Sequence, residues 1–269
     1  MTSKIPVILD TDIGGDIDDT WALAMLLKSP ELDLKLVVTD TGDTIYRARV
    51  AAKLLSVAGR SDVPVGVGLR QGEDEGPQAP WVEDYGLADY EGEVFESGVD
   101  ALIETIMSSP DPVTLIAIGP VPNVAAALAR EPRIARNARF VGMHGSVRLG
   151  YGGSSTPSAE YNVKADVASC RQVFEAPWEV TITPLDTCGL VQLRGDKYAQ
   201  VRDCRDPLVE AVIANYRIWA PRVGWVSLDA EEQSSVLFDT VAVYLAFDES
   251  LVDIEDLPIR VTDDGYTVI

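Results

Sequence analysis

Ile5-Pro6-Val7-Ile8-Leu9-Asp10-Thr11-Asp12-Ile13-Gly14-Gly15-Asp16-Ile17-Asp18-Asp19 runs from a strand-like apolar segment straight into a loop with five aspartates in ten residues. Helical periodicity follows from Asp18 to Lys28, then a strand-like Leu34 to Thr39, then a helical Thr44 to Ala58 stopped by Gly59. Short strands alternating with helices imply an α/β fold with a mostly parallel central sheet flanked by helices. Further strands are expected near Val63 to Val67, Val113 to Ile118, Arg139 to Met143 and Glu179 to Thr183. The helices between them are expected near Val99 to Met107, Val121 to Ala129 and Lys164 to Phe174. After Asp186 the pattern turns mainly helical. Asp206 and Pro207 read as an N-cap and first helical residue, a second helix is expected over Ser234 to Phe247, and Leu257 to Ile269 looks like a hairpin. No repeat or low-complexity linker divides the chain, so 1–269 reads as one domain. Gly68 to Ser97, rich in Gly, Glu and Pro, is too long for an ordinary connection and reads as either a lid over a site or a surface excursion.

Composition narrows the partners. At 269 residues and 46% apolar content the chain has ample core. Forty-three acids against 22 bases give a formal charge of −21, which repels phosphate backbones and favours a cation over nucleic acid. No stretch approaches the roughly 18 apolar residues of a membrane span, and the N-terminus has no signal-peptide pattern, so a cytoplasmic protein is expected. Cys170, Cys188 and Cys204 have no metal-ligand spacing and read as reduced thiols, and the single histidine, His144, excludes a His-rich metal site.

Ligands of open parallel sheets sit beyond the carboxyl ends of the strands. The segments there are Asp10 to Asp19, Asp40-Thr41-Gly42-Asp43, Gly119-Pro120-Val121-Pro122-Asn123, His144-Gly145-Ser146 and Pro184-Leu185-Asp186. Five aspartates in a confined loop cannot all stay ionised without a compensating cation, and with no base nearby in the sequence a metal is the natural partner. An all-oxygen, many-ligand shell suits calcium better than magnesium. The EF-hand template fails, because counting from Asp10 its sixth and twelfth places hold Gly15 and Trp21. Asp239, inside the apolar run Val236 to Ala246, is costly to bury unless paired or metal-bound, and otherwise faces solvent. Glu160, Asn162 and Asp166 precede another helix and can equally be capping residues.

Together these segments resemble the inosine-uridine-preferring nucleoside hydrolase family over Ile5 to about Val261. The aspartate-rich signature is the most specific match, supported by Thr41-Gly42-Asp43, Ile118-Gly119-Pro120 with Asn123, Met143-His144-Gly145, Ala159-Glu160-Tyr161-Asn162 with Asp166, and Leu237-Phe238-Asp239. The resemblance implies calcium held by Asp12, Asp19, Asp239 and the Ile118 carbonyl, with Asp12 as general base toward water. It implies that Asp18, Glu160 and Asn162 grip the ribose hydroxyls, that Asp43, Met143, His144 and Phe238 stand near the substrate, and that Asp10 and Asp186 support the shell. The implied reaction is inverting hydrolysis of a ribonucleoside to ribose and free base in purine or pyrimidine salvage, by a homodimer or homotetramer.

This chain departs from the family pattern at several points. Phe238 stands where many members have a histidine that assists the leaving base, so leaving-group protonation has no assigned residue. Asp43 stands where an asparagine is frequent, an asparagine near the ribose 5-hydroxyl is replaced around Ser154, and the signature loop carries two extra residues, Asp16 among them. Relatives run on past the final hairpin, so either the chain is trimmed or this member lacks a terminal cover. Tyr216, Trp219 and Trp225 offer faces for stacking a base, or serve as core or interface residues. His144 can donate to a substrate oxygen or be structural. Two competing readings are a haloacid-dehalogenase-type phosphatase using Asp10 and Asp12, with Lys164 and Asp186 as substitutes for its other parts, and a ribose-binding homologue with little turnover.

Overall fold

The computed structural model describes residues 4–269. In chain order the first half contains β1 (Ile5–Thr11), α1 (Asp18–Lys28), β2 (Leu32–Thr39), α2 (Thr44–Val57), β3 (Val65–Val67), β4 (Val94–Phe95), α3 (Gly98–Ser108), β5 (Val113–Ala117) and α4 (Pro122–Arg130). The rest contains α5 (Ile134–Asn137), β6 (Ala138–Met143), α6 (Tyr161–Ala165), α7 (Val167–Phe174), β7 (Val180–Thr183), β8 (Gln192–Arg194), α8 (Gly195–Arg202), α9 (Pro207–Trp219), β9 (Gln233–Val236), α10 (Phe238–Leu245), β10 (Arg260–Val261) and β11 (Thr267–Val268).

Seven strands form one sheet in the order β4-β3-β2-β1-β5-β6-β7, and every pairing in it is parallel. β1 lies between β2 and β5, so the chain builds outward on one side and then returns to build on the other. That reversal opens a crevice beyond the carboxyl ends of β1 and β5, the place where such sheets hold ligands. Alternation along β1 explains why it sits at the centre. Val7 and Leu9 join the core with α1, α2, α9 and α10, while Ile8 joins the opposite core with α3, α4 and α7, all three fully buried. Leu9→Ala would cost about 2–5 kcal/mol.

Three expectations are corrected. The helix expected over Ser234 to Phe247 is a strand, β9, followed by α10, because Ser234 to Val236 pair antiparallel with β8. The helix expected over Lys164 to Phe174 is two, α6 and α7, broken at Asp166, whose carboxylate accepts from the Ser169 N–H and starts the second. Of the two readings of Gly68 to Ser97 the lid falls away: the segment runs largely exposed over the surface, is pinned by the buried Gln78, Trp81, Val82 and Tyr90, and enters the sheet as β4. The final hairpin is present as β10 and β11, and α9 starts at Pro207 with Asp206 as its N-cap. All three cysteines are free. Among the described residues no helix is long and apolar enough to cross a membrane.

Candidate active site

The loop after β1 and the first turn of α1 deliver Asp12, Asp16, Asp18 and Asp19 to the crevice, where they line a cavity of about 500 Å³. Asp239, in the first turn of α10, joins them because α10 packs along α1. Asp18, Asp19 and Asp239 each offer a carboxylate oxygen, and these atoms lie within 4.8 Å of one another. The carbonyl-bearing Ile118, just past β5, lines the same cavity, and its N–H donates to the Asp10 carbonyl at 2.9 Å. Thr11 Oγ1 donates to Asp19. Trp219 Nε1 donates to the Gly15 carbonyl at 3.0 Å and Gln78 Nε2 to the Asp16 carbonyl at 2.7 Å, so the acidic loop is braced from behind.

The opposite wall comes from the segment after β6. Asn162 Nδ2 donates to the carbonyls of Ile118 (3.1 Å) and Met143 (3.0 Å), which ties this wall to the floor. Glu160 is the N-cap of α6 and accepts from the N–H groups of Gly145, Asn162 and Val163. Tyr151, Tyr161, Trp225 and Phe238 complete the cavity as an aromatic side facing the acidic one. Trp225 is 66% exposed, whereas Tyr216 and Trp219 are buried in the core and do not reach the cavity.

Electrostatics sets this cavity apart. Burial, then repulsion from neighbouring carboxylates, holds Asp18, Asp19 and Asp239 well above the usual carboxylate range. Burial also raises Asp12, opposed chiefly by Arg47, and takes Asp16 to about 6 and Glu160 to about 7. Arg47 was missed by sequence reasoning, which found no base near the loop. It lines the cavity with its Nη2 3.9 Å from Asp12, and it is otherwise bonded to the Thr41 and Ile13 carbonyls. Only the parallel pairing of β1 with β2 brings α2 and Arg47 beside that loop. Asp40, named in sequence only as part of the rim segment Asp40 to Asp43, is fully buried beside Asp10, with both its oxygens and Asp10 Oδ2 lacking a hydrogen-bond partner. Burial pushes Asp10 up to about 7, and Asn123 Nδ2 donates to its Oδ1.

Four residues expected at the site do not line the cavity. His144 is fully buried against Phe140 and Phe174, with burial taking it down to about 3; adjacent strand residues face opposite ways, so Met143 meets the cavity and His144 the far core. Asp43 is the N-cap of α2 and pairs with Arg70 at 2.8 Å. Burial opposes its charge, but the Tyr46 N–H and Arg70 outweigh that and hold its carboxyl below the usual range. Asp186 accepts from the N–H groups of Val147, Arg148 and Leu149 and so shapes the loop after β6. Asp10 is fully buried and does not line the cavity. Lys164, the lysine that a phosphatase would need, is exposed and lies outside the cavity.

The donor set fits a hard divalent cation. Buried, mutually repelling carboxylates face one another, and among the described residues Arg47 is the one basic side chain lining the cavity. Asp12, Asp19, Asp239, Asp18 and the Ile118 carbonyl are the groups that can hold it.

Comparison with known proteins finds nucleoside hydrolases. The non-specific ribonucleoside hydrolase RihC of Salmonella agona (strain SL483) is 32% identical over 237 residues, covering 83% of this chain and 76% of that protein. A plant nucleoside hydrolase, the PpNRh1 enzyme, superposes with a TM-score of 0.82 at 24% identity, covering 99% of this chain and 87% of its own. The purine-preferring ribonucleoside hydrolase of Gardnerella vaginalis superposes at 0.73 with 25% identity, covering 98% and 87%. The profile of the family described as inosine-uridine preferring nucleoside hydrolase matches residues 7–269. The chain therefore belongs to that family, whose members are metal-dependent N-ribohydrolases that cleave ribonucleosides at the N-glycosidic bond.

Proposed function

We propose that this protein is a calcium-dependent ribonucleoside hydrolase that releases ribose and free base, with inversion, and in which Asp12 is the general base. The observation that carries the reading is the meeting of Asp12, Asp18 and Asp19 with Asp239, from near opposite ends of the chain, in one buried cavity. Asp12, Asp19, Asp239 and the Ile118 carbonyl are assigned to calcium, and Asp18, Glu160 and Asn162 to the ribose hydroxyls. Held by those groups, calcium would supply Lewis-acid polarisation of the oxygens beside it. Asp12 takes the proton of the attacking water, and Arg47 beside it favours the ionised form that this requires. As the C1–N bond breaks, positive charge grows on the ribose, and the surrounding carboxylates stabilise it. Glu160, fixed by three backbone N–H groups, is positioned to accept from a sugar hydroxyl rather than to move. Met143 and Phe238 form apolar wall beside the substrate, and Trp225 offers a face to the base. A place in purine or pyrimidine salvage, a cytoplasmic location and a dimeric or tetrameric state belong to the same proposal, and fractionation with light scattering on the purified protein tests the last two.

The test is a calcium-supplemented screen of common and modified ribonucleosides, following free ribose and free base together, with a chelated sample and a phosphatase substrate alongside. Calcium-dependent release of both products is expected. Phosphate release alone would move the assignment to a phosphatase, and ribose binding without release would make the protein a binding homologue.

A further inference from the structure

We propose that the Tyr151 hydroxyl serves the leaving group, donating a hydrogen bond to the nucleobase as the C1–N bond breaks, at the end of the cavity where Phe238 offers no acid. This rests on the hydrolase reading above. Tyr151 opens the turn Tyr151–Gly153 in the loop after β6, and its ring meets Phe238 edge to face, centroids 6.2 Å apart at 81°. Both side chains line the cavity. The turn that carries it is closely specified: Gly152 and Gly153 have φ of 66° and 75°, and a Cβ on Gly150 would stand 2.4 Å from the Thr156 carbonyl.

The Tyr151 oxygen accepts the Tyr161 N–H at 3.0 Å, which fixes the oxygen and leaves its own proton to be given elsewhere. Tyr151 is 46% exposed overall, but desolvation of its hydroxyl and the charges of Glu160 and Asp18 push that hydroxyl up, so it stays a neutral donor at physiological pH. The alternatives at this end are poor. Glu160 has both oxygens held by three backbone donors at the N-terminus of α6. Among the described residues lining the cavity, the other hydroxyl is that of Tyr161, which is 58% exposed and has Asp12 and Arg47 as its main charged influences. Asp18 is assigned to the ribose hydroxyls and Asp239 to the cation, and their carboxylates lie together.

In the step, the electron pair of the broken C1–N bond goes to the base nitrogen, and the growing negative charge on the base is met by the Tyr151 O–H. Water adds its oxygen to C1 and gives one proton to Asp12. Asp12 returns that proton to solvent, and the released base takes one from solvent, so Tyr151 ends as it began.

Tyr151→Phe keeps the ring and its contact with Phe238 and removes the hydroxyl alone. The native and variant proteins are assayed, with calcium, on ribonucleosides and on 4-nitrophenyl riboside, whose nitrophenolate departs without help. A charge-assisted hydrogen bond lost from the transition state lowers kcat on ribonucleosides by about 10- to 100-fold. The nitrophenyl riboside rate is expected to hold. An equal loss on both substrates, no loss on either, or this pattern in Tyr161→Phe instead of Tyr151→Phe overturns the inference and leaves the hydrolase reading standing. Native protein that frees ribose from none of these substrates overturns the hydrolase reading and the inference with it.

Discussion

The first turns of α1 and α2 stand side by side on the carboxyl rim of the sheet, and they treat their acids in opposite ways. α2 begins at Asp43, whose carboxylate accepts from the Ile45 and Tyr46 N–H groups and pairs with Arg70. α1 begins at Ile17 with no side-chain cap, and the acids of its first turn, Asp18 and Asp19, face Asp239 instead. One helix start uses its acid to satisfy itself, and its charge is stabilised. The other assembles like charges at a stability cost, which is the signature of a place kept for a cation and a substrate.

The largest effect should come from breaking the α1 cluster. Asp239→Ala is expected to release calcium and lower turnover roughly a thousand-fold or more, the scale of several kcal/mol of transition-state stabilisation. Tight calcium retention by that variant, read by calorimetry, would remove Asp239 from the ligand set. Asp12→Asn should keep the fold and lower kcat by about 10²- to 10⁴-fold. An unchanged rate would exclude Asp12 as the base.

Metal-free protein gives a thermal test of the same contrast. Burial pushes Asp10 and Glu160 up to about 7 in the folded chain, from about 4 in an unfolded one. Between those values the folded chain holds protons that the unfolded chain has lost, so stability falls as pH rises from 4 to 7. In chelator, Tm should therefore drop from pH 5 to pH 8, and calcium should raise Tm more at pH 8 than at pH 5. A flat chelated profile would mean that these carboxyls are ionised at little cost.

The smallest effects separate the two helix starts directly. Asp43→Ala should cost about 1 kcal/mol, or a Tm drop of roughly 2–4 °C, through the lost cap. In chelator Asp18→Asn should do the reverse and raise Tm, because it removes a repelling charge. Differential scanning calorimetry of the pair decides it, and a matching loss in both variants would erase the distinction.

Much of this site can be read in one dimension, and the exceptions have physical causes. α1 occupies the range its periodicity predicts, and Asp12, Asp18, Asp19 and Asp239, all quoted from the sequence, line one cavity. The strand β9 was hidden because Gln233 to Val236, Gln-Ser-Ser-Val, is too short and too polar to show a period, and its partner β8 lies some forty residues earlier. β4 was hidden inside a Gly- and Pro-rich segment because a two-residue strand has no pattern of its own. His144 was misplaced by a single residue of strand alternation. Arg47 and Tyr151 carry no local signal at all. Arg47 looks like any helix-surface arginine and Tyr151 like any loop tyrosine, until the sheet pairing and the β6 loop set them beside Asp12 and Phe238.

The packing of α10 along α1 also has a meaning for synthesis. A nascent chain exposes its acidic loop within the first twenty residues, but the carboxylate that completes the cluster leaves the ribosome only with residue 239. Closing that contact joins distant stretches of sequence, a slow class of folding event, and a cation that bridges the two helices would lock it once made.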